Sequence, residues 1–200
     1  MQFAALYHDV GKPQCRSADG EGRVHFYGHE HASAEAIEAR ATAWNLSNAE
    51  TDRVRGVVEN HLRFFFLAAR NEAAGEPPSR KAIYRFFRDA NECAIDVILL
   101  GLADLRGTRG HTLTEQAWAA WVEVARILLD NLWEKPQESI SPPRLVDGHD
   151  LMQELNLQPG PLIGEMLEAI REGQATGQVA TRTEALELAR RRNRSTQGSS

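Results

Sequence analysis

Apolar residues recur every three or four positions along most of this 200-residue chain, and no stretch shows a sustained strand-like alternation. Such spacing places the apolar residues on one face of an α-helix. The pattern predicts that residues 3–7 are the last turns of a buried helix. It predicts further helices at 30–44, 49–65, 92–105 and 114–133. The predicted fold class is therefore all-α.

Residues with capping chemistry mark several predicted helix starts. Ser47, followed three residues later by Glu50, has the spacing of a capping box, and Thr181 with Glu184 repeats that spacing near the end of the chain. Ser79 is placed to cap a helix that precedes residue 92. The capping residues thus support the helical interpretation independently of the apolar pattern.

A segment rich in proline and serine, EKPQESISPPR, interrupts the helical pattern and has the composition of a linker. It divides the chain into a predicted helical bundle at 1–133, a linker at 134–144 and a small helical tail at 145–200. The tail holds three short predicted helices, and Pro161 suits the first position of the second.

Composition narrows the range of function classes. The net charge of −5 gives no global reason to expect a nucleic-acid partner. Cys15 and Cys93 have no ligand-like spacing, which favours a reduced, cytoplasmic chain. No apolar run is long enough to span a bilayer, and the N-terminus lacks the features of a signal peptide. Because the chain starts inside a predicted helix, we expect it to be a piece of a longer protein.

The candidate chemistry begins with an imidazole and a carboxylate side by side, His8 and Asp9, directly before a Gly-Lys-Pro turn. His29 starts the next predicted helix, His61 lies on the apolar face of the following one, and Asp104 ends an apolar helix. Imidazole nitrogens and carboxylate oxygens suit a divalent metal, and helices of a bundle can bring them into one cavity. We therefore expect these five residues to be metal ligands.

Each of these residues also has a purely structural interpretation. Asp9 would then only orient His8, and His61 would be a core histidine bonded to a backbone partner. His29 is a candidate for a second metal position or a phosphate contact. Lys12 is either a solvated turn lysine or the cation that neutralises a phosphate oxygen. A further basic run lies at helical spacing and is either a solvated face or an RNA contact: Arg80, Lys81, Arg85 and Arg88.

The order of the motifs carries a resemblance to a known family. HDVGK at residues 8–12 and the late aspartate in GLADLRG resemble the HD-domain metal-dependent phosphohydrolases. With HFYGHEHASAEA, VENHL and the segment from LVDGHDLM to TRTEAL, nearly the whole chain resembles the C-terminal half of bacterial tRNA nucleotidyltransferases of the poly(A) polymerase family. The nucleotidyltransferase head of that family has no counterpart here, and the histidine that HD domains take from an upstream helix would precede Met1.

The resemblance implies an HD-domain bundle with a divalent cofactor (Mn, Ni, Co, Fe or Mg) and catalytic roles for Asp9 and Lys12. The implied function is hydrolysis of phosphate esters or cyclic nucleotides, with a nucleotide or another phosphate-containing small molecule as substrate. The alternative is a non-catalytic fragment that supports tRNA binding, together with an upstream nucleotidyltransferase head. A third interpretation is that the chain provides helical packing alone.

Overall fold

The computed structural model describes the backbone of residues 1–197 and the side chains of residues 1–194. Residues 198–200, the end of the predicted tail, lie outside the described residues. The chain forms two compact units: the first contains Met1–Pro78 and Phe86–Leu129, and the second contains Ser79–Arg85 and the chain from Asp130 onward.

Helices dominate the described chain, which confirms the all-α prediction. None of these helices is both long enough and apolar enough to cross a membrane. In chain order they are α1 (Gln2–Tyr7), α2 (His29–Ala41), α3 (Asn48–Ala74), α4 (Arg80–Ala90), α5 (Ala94–Arg109), α6 (Glu115–Glu134), α7 (Pro136–Ser139), α8 (Gly148–Leu155), α9 (Pro161–Thr176) and α10 (Arg182–Gln197).

Two features of the N-terminal segment differ from the sequence prediction. Helix α1 buries only Ala4, while Phe3 and Leu6 remain exposed, so the prediction of a buried helix is wrong for most of its length. The segment after it contains a small antiparallel pair, β1 (Ser17–Ala18) and β2 (Val24–His25). Strands of two residues are too short to show an alternating pattern, which is why the sequence indicated only a loop here.

Helix α3 is the longest element of the first unit and supplies much of its core. Ser47 accepts a hydrogen bond from the backbone of Glu50, whose side chain reaches back, so the predicted capping box is confirmed. The helix continues past its predicted end at residue 65 and ends where Gly75 adopts a left-handed conformation. Its buried residues follow the helical period: Val54, Val57, Val58, His61, Phe64 and Ala68.

Two glycines let neighbouring segments approach the site closely. An added Cβ at Gly101 of α5 would lie 2.4 Å from Cδ1 of the buried Phe64, so only glycine allows α5 to pack this tightly on α3. An added Cβ at Gly11 would lie 2.6 Å from the carbonyl oxygen of His29, at the start of α2. Gly11, in the Gly-Lys-Pro turn, has no positive φ, so its role is to allow this close approach rather than to adopt a left-handed conformation.

The second unit has its own core, in which Leu151, Met166 and Ile170 are buried. Pro161 begins α9, and Thr181 and Glu184 form the predicted capping box at the start of α10. The predicted linker at 134–144 contains the short helix α7. The division of the chain at 1–133, 134–144 and 145–200 stays a prediction.

Candidate metal centre

The five predicted ligands line one cavity of about 140 Å³ in the first unit. Asp9 follows the C-cap residue of α1, His8, and the two reach the cavity together. His29 opens α2, His61 lies midway along α3, and Asp104 lies near the end of α5. Four separate segments of the chain thus bring their polar side chains to one place.

The three imidazoles are oriented by the same local hydrogen bond. Nδ1 of each ring bonds the carbonyl oxygen of the residue three positions earlier, at 2.8 Å for His8, 2.8 Å for His29 and 2.6 Å for His61. A carbonyl only accepts, so each Nδ1 carries a proton and Nε2 is the ring nitrogen left for a ligand. The local backbone therefore selects the same donor nitrogen in all three histidines.

The most compact donor group contains Asp9, His29 and His61, whose ligand atoms all lie within 4.8 Å of one another. Nε2 of His29 lies 3.3 Å from Nε2 of His61 and 3.2 Å from Oδ1 of Asp9. Both histidines are buried. Two buried lone pairs at this distance repel each other unless a cation or a proton lies between them, so this donor set fits a divalent metal.

His8 and Asp104 extend the donor set on the other side of Asp9. Nε2 of His8 lies 3.3 Å from Oδ2 of Asp9 and 3.6 Å from Oδ1 of Asp104. This nitrogen is buried, and its two carboxylate neighbours are ion-pair partners when the ring is protonated. When the ring is neutral, the same three groups could share a cation. The structure thus brings the five residues together, while their roles as ligands stay a prediction.

Neighbouring charges and burial shift the pKa values of three side chains in the cavity. The carboxylates of Asp104 and Asp9 raise the pKa of His8 to about 10. Burial opposes ionisation of Asp9, but hydrogen bonds from His8 and Lys12 hold the pKa of its carboxyl well below the usual range. Burial lowers the pKa of His61. Asp9 and His61 are therefore in the forms that bind metals at neutral pH, whereas a metal has to displace a proton from His8.

Lys12 lines the same cavity, and its Nζ lies 2.6 Å from Oδ2 of Asp9. Its ammonium group also lies 5.9 Å from the centre of the Phe26 ring. The side chain is only partly buried, so the charge faces both Asp9 and the entrance. Its catalytic role, like that of Asp9, stays a prediction.

Sequence reasoning missed several residues around the centre. Leu62, Phe65, Leu100 and Gly101 form an apolar wall of the cavity. Oε2 of Glu30 is buried without a hydrogen-bond partner among the described residues and lies 3.7 Å from Nδ1 of His29. The position of Glu30 directly after His29 was the available signal, since it places a carboxylate beside a candidate ligand.

The predicted RNA-binding residues lie outside this cavity. Lys81 and Arg85 both pair with Glu172 in the second unit, at 2.8 and 2.6 Å. Arg88 pairs with its neighbour Asp89. Internal pairing accounts for much of the charge of this run, and an RNA contact through it, Arg80 included, stays a prediction.

Two regions of the chain match known protein families. The HD domain family matches residues 1–104, and the family described as "tRNA nucleotidyltransferase domain 2 putative" matches residues 141–189. The chain is 35% identical over 185 residues to the CC-adding tRNA nucleotidyltransferase of Thermus thermophilus, covering 92% of this chain and 38% of that protein. It is 32% identical over 200 residues to the A-adding tRNA nucleotidyltransferase of Deinococcus radiodurans, covering 100% of this chain and 43% of that protein.

A more distant relative shares only part of the chain. The bifunctional uridylyltransferase/uridylyl-removing enzyme of Xanthomonas campestris is 31% identical over 134 residues, which cover 65% of this chain and 13% of that enzyme. The chain spans less than half the length of both tRNA nucleotidyltransferases. The resemblance inferred from the ordered motifs is confirmed, and the chain belongs to the HD-domain family.

Proposed function

We propose that this chain is a divalent-metal-dependent phosphohydrolase that acts on phosphate esters or cyclic nucleotides. The observation that supports this most is the convergence of three imidazole Nε2 atoms and two carboxylates on one cavity. Asp9, His29 and His61 would hold the metal, with His8 and Asp104 as further ligands. A donor set with three imidazoles favours Mn, Fe, Co or Ni over Mg.

A divalent metal, when bound, polarises a phosphoryl oxygen and makes water a stronger nucleophile at neutral pH. The protein's own groups have separate tasks. Asp9 accepts a hydrogen bond from Lys12, which fixes the carboxylate and holds the ammonium group at the cavity. Lys12 would attract the phosphate and offset its negative charge. Leu62, Phe65 and Leu100, which also line the cavity, offer no side-chain hydrogen-bonding group to water or substrate.

The proposal can be tested by replacing a histidine inside the cavity and, as a control, one outside it. His61→Ala removes a buried cavity ligand, whereas His31→Ala removes an exposed imidazole that lies outside the cavity. We expect wild type and the His31 variant to retain metal after purification, as measured by elemental analysis, and the His61 variant to lose most of it. Hydrolysis of 2′,3′-cyclic nucleotides with added Mn or Ni should follow the metal content and should be lost in Asp9→Ala.

Two results would contradict the proposal. Wild-type protein that takes up no transition metal after loading would remove its basis. Equal hydrolysis rates in wild type and Asp9→Ala would mean that the activity comes from a contaminant.

A second candidate is a non-catalytic piece that supports tRNA binding. The match of residues 141–189 to the tRNA nucleotidyltransferase domain 2 family supports it, as do the two tRNA nucleotidyltransferase relatives. In this case a nucleotidyltransferase head and tRNA would be its partners. Binding of tRNA in the presence of a metal chelator, without any hydrolysis after metal loading, would favour this candidate over the phosphohydrolase.

A further inference from the structure

Helix α3 carries three consecutive phenylalanines, and the structure places them in three environments. Phe64 is fully buried, Phe65 is 39% exposed and Phe66 is 62% exposed. Successive helical residues differ by about 100° around the axis, so a run of three cannot all face the core. The core requires only Phe64, and the two exposed rings need another explanation.

Phe65 is the member of this run that lines the metal cavity. Its ring packs edge-to-face on Trp121, with ring centres 5.4 Å apart and an angle of 74° between the ring planes. Trp121 is fully buried, and its Nε1 donates a hydrogen bond to Glu72 at 2.7 Å. Because the supporting indole is fixed on both its apolar and its polar side, the Phe65 ring is held in a defined position at the rim.

The small volume of the cavity limits how much of a substrate can enter it. The cavity volume of about 140 Å³ is small beside pockets that enclose a whole drug-sized ligand, which measure about 300–1,000 Å³. Part of a phosphate ester bound here would therefore extend beyond the cavity. Phe65 is a lining residue that is 39% exposed, so it is available to that part of the substrate.

The residues that line the cavity offer two kinds of chemistry to a substrate. Lys12 and the candidate ligands suit the phosphoryl group. The remaining lining residues are apolar, and among these Phe65 is the aromatic one. A planar ring in the substrate would gain stacking on the Phe65 face, and a sugar or alkyl group would not.

We propose that Phe65 is a specificity-determining residue that selects phosphate esters carrying a planar ring within reach of its own ring. This inference rests on the proposed phosphohydrolase function and adds a contact outside the metal ligands. Phe3 provides a matched control, because it is the same residue type, is 42% exposed, stacks on Trp44 and does not line the cavity. Phe66 is unsuitable as a control, because its ring packs edge-to-face on that of Phe65.

The experiment measures binding by isothermal titration calorimetry to the metal-loaded full chain. The probes are adenosine 5′-monophosphate and ribose 5-phosphate, which share the sugar and phosphate and differ only in the base. Wild type should bind the nucleotide roughly 5- to 150-fold more tightly than the sugar phosphate, the range that one stacked base provides. Phe65→Leu should lose this preference and keep its affinity for ribose 5-phosphate, while Phe3→Leu should behave as wild type.

The possible results distinguish failure of the Phe65 proposal from failure of the proposed phosphohydrolase function. Equal binding of the two probes by wild type, or a preference that survives in Phe65→Leu, would overturn the role of Phe65 and leave the phosphate site intact. Failure of wild type to bind either probe would overturn both. A preference lost equally in Phe3→Leu would assign the effect to the general apolar surface and would also overturn the proposal.

Discussion

Substitution of Gly11 by alanine tests whether the His-Asp turn is held by close contact with α2. The added Cβ would lie 2.6 Å from the His29 carbonyl oxygen and 2.8 Å from both the Ala32 Cβ and the Ser33 nitrogen. Two of these three atoms belong to the backbone, so no side-chain rotation relieves the overlap. The turn and α2 must move apart.

The cost can be worked out from two contributions. Overpacking of a tightly packed site costs about 1–3 kcal/mol. The Gly11 N–H also donates a buried hydrogen bond of 2.9 Å to Oγ of Ser33, and its loss costs about 0.5–1.5 kcal/mol. We expect Gly11→Ala to lower the free energy of unfolding by about 2–4 kcal/mol, measured by urea denaturation with circular dichroism.

Gly107 offers a matched control within α5. An added Cβ there meets nothing within 4 Å, so Gly107→Ala should leave stability unchanged or raise it by up to about 1 kcal/mol through helix propensity. The same displacement in Gly11→Ala moves the backbone of a candidate ligand, so metal affinity should fall together with stability. An unfolding free energy within about 0.5 kcal/mol of wild type, with unchanged metal affinity, would refute the close-contact reasoning.

Three further predictions concern protonation, orientation of a ligand, and domain structure. The raised pKa of His8 stabilises the metal-free protein fully below pH 6.5, and this contribution is lost as the pH rises towards about 10. Urea denaturation of wild type in the presence of a chelator should therefore show a free energy of unfolding that falls over this pH range. A His8→Gln variant whose unfolding free energy falls in parallel would contradict this prediction. Glu30→Gln should weaken metal affinity roughly 10- to 100-fold, because it removes a charge beside the imidazole of His29. Glu35→Gln, at an exposed position of the same helix, should leave the metal affinity unchanged. Equal metal affinities of wild type and Glu30→Gln in calorimetry would exclude the role of Glu30. A chain that ends after Glu134 should still unfold cooperatively, although residues 79–85 then lack most of the second unit to which they belong. A gradual thermal unfolding curve for this fragment would show that the two units share one folding transition.

The spacing of apolar residues along the sequence was sufficient to predict much of the helical fold and part of the candidate metal centre. The spacing of Val54, Val57 and Val58 placed His61 on the buried face of α3, where the structure has it. A helical period fixes which side chains share a face, so the inward direction of His61 followed from the sequence alone. The capping box at Ser47 fixed the start of the same helix.

Other features depend on tertiary distances that no local pattern contains. The sequence suggested five ligands and set His29 apart as a candidate for a second metal position or a phosphate contact, whereas the structure groups His29 most closely with Asp9 and His61. Gly11 was placed only in a Gly-Lys-Pro turn, and the position of α2 shows that it allows a close approach. Phe65 was indistinguishable from its neighbours in the run, because its role depends on where α5 and Trp121 lie.

The carbonyl bonds that orient the three imidazoles have a consequence for metal selectivity. Each ring is fixed by a residue three positions earlier in its own segment, so the choice of donor nitrogen is encoded locally. The separations between the rings are encoded by the packing of α1, α2, α3 and α5. A core substitution remote from the cavity would therefore change the size of ion that fits, while every ring still offered the same nitrogen.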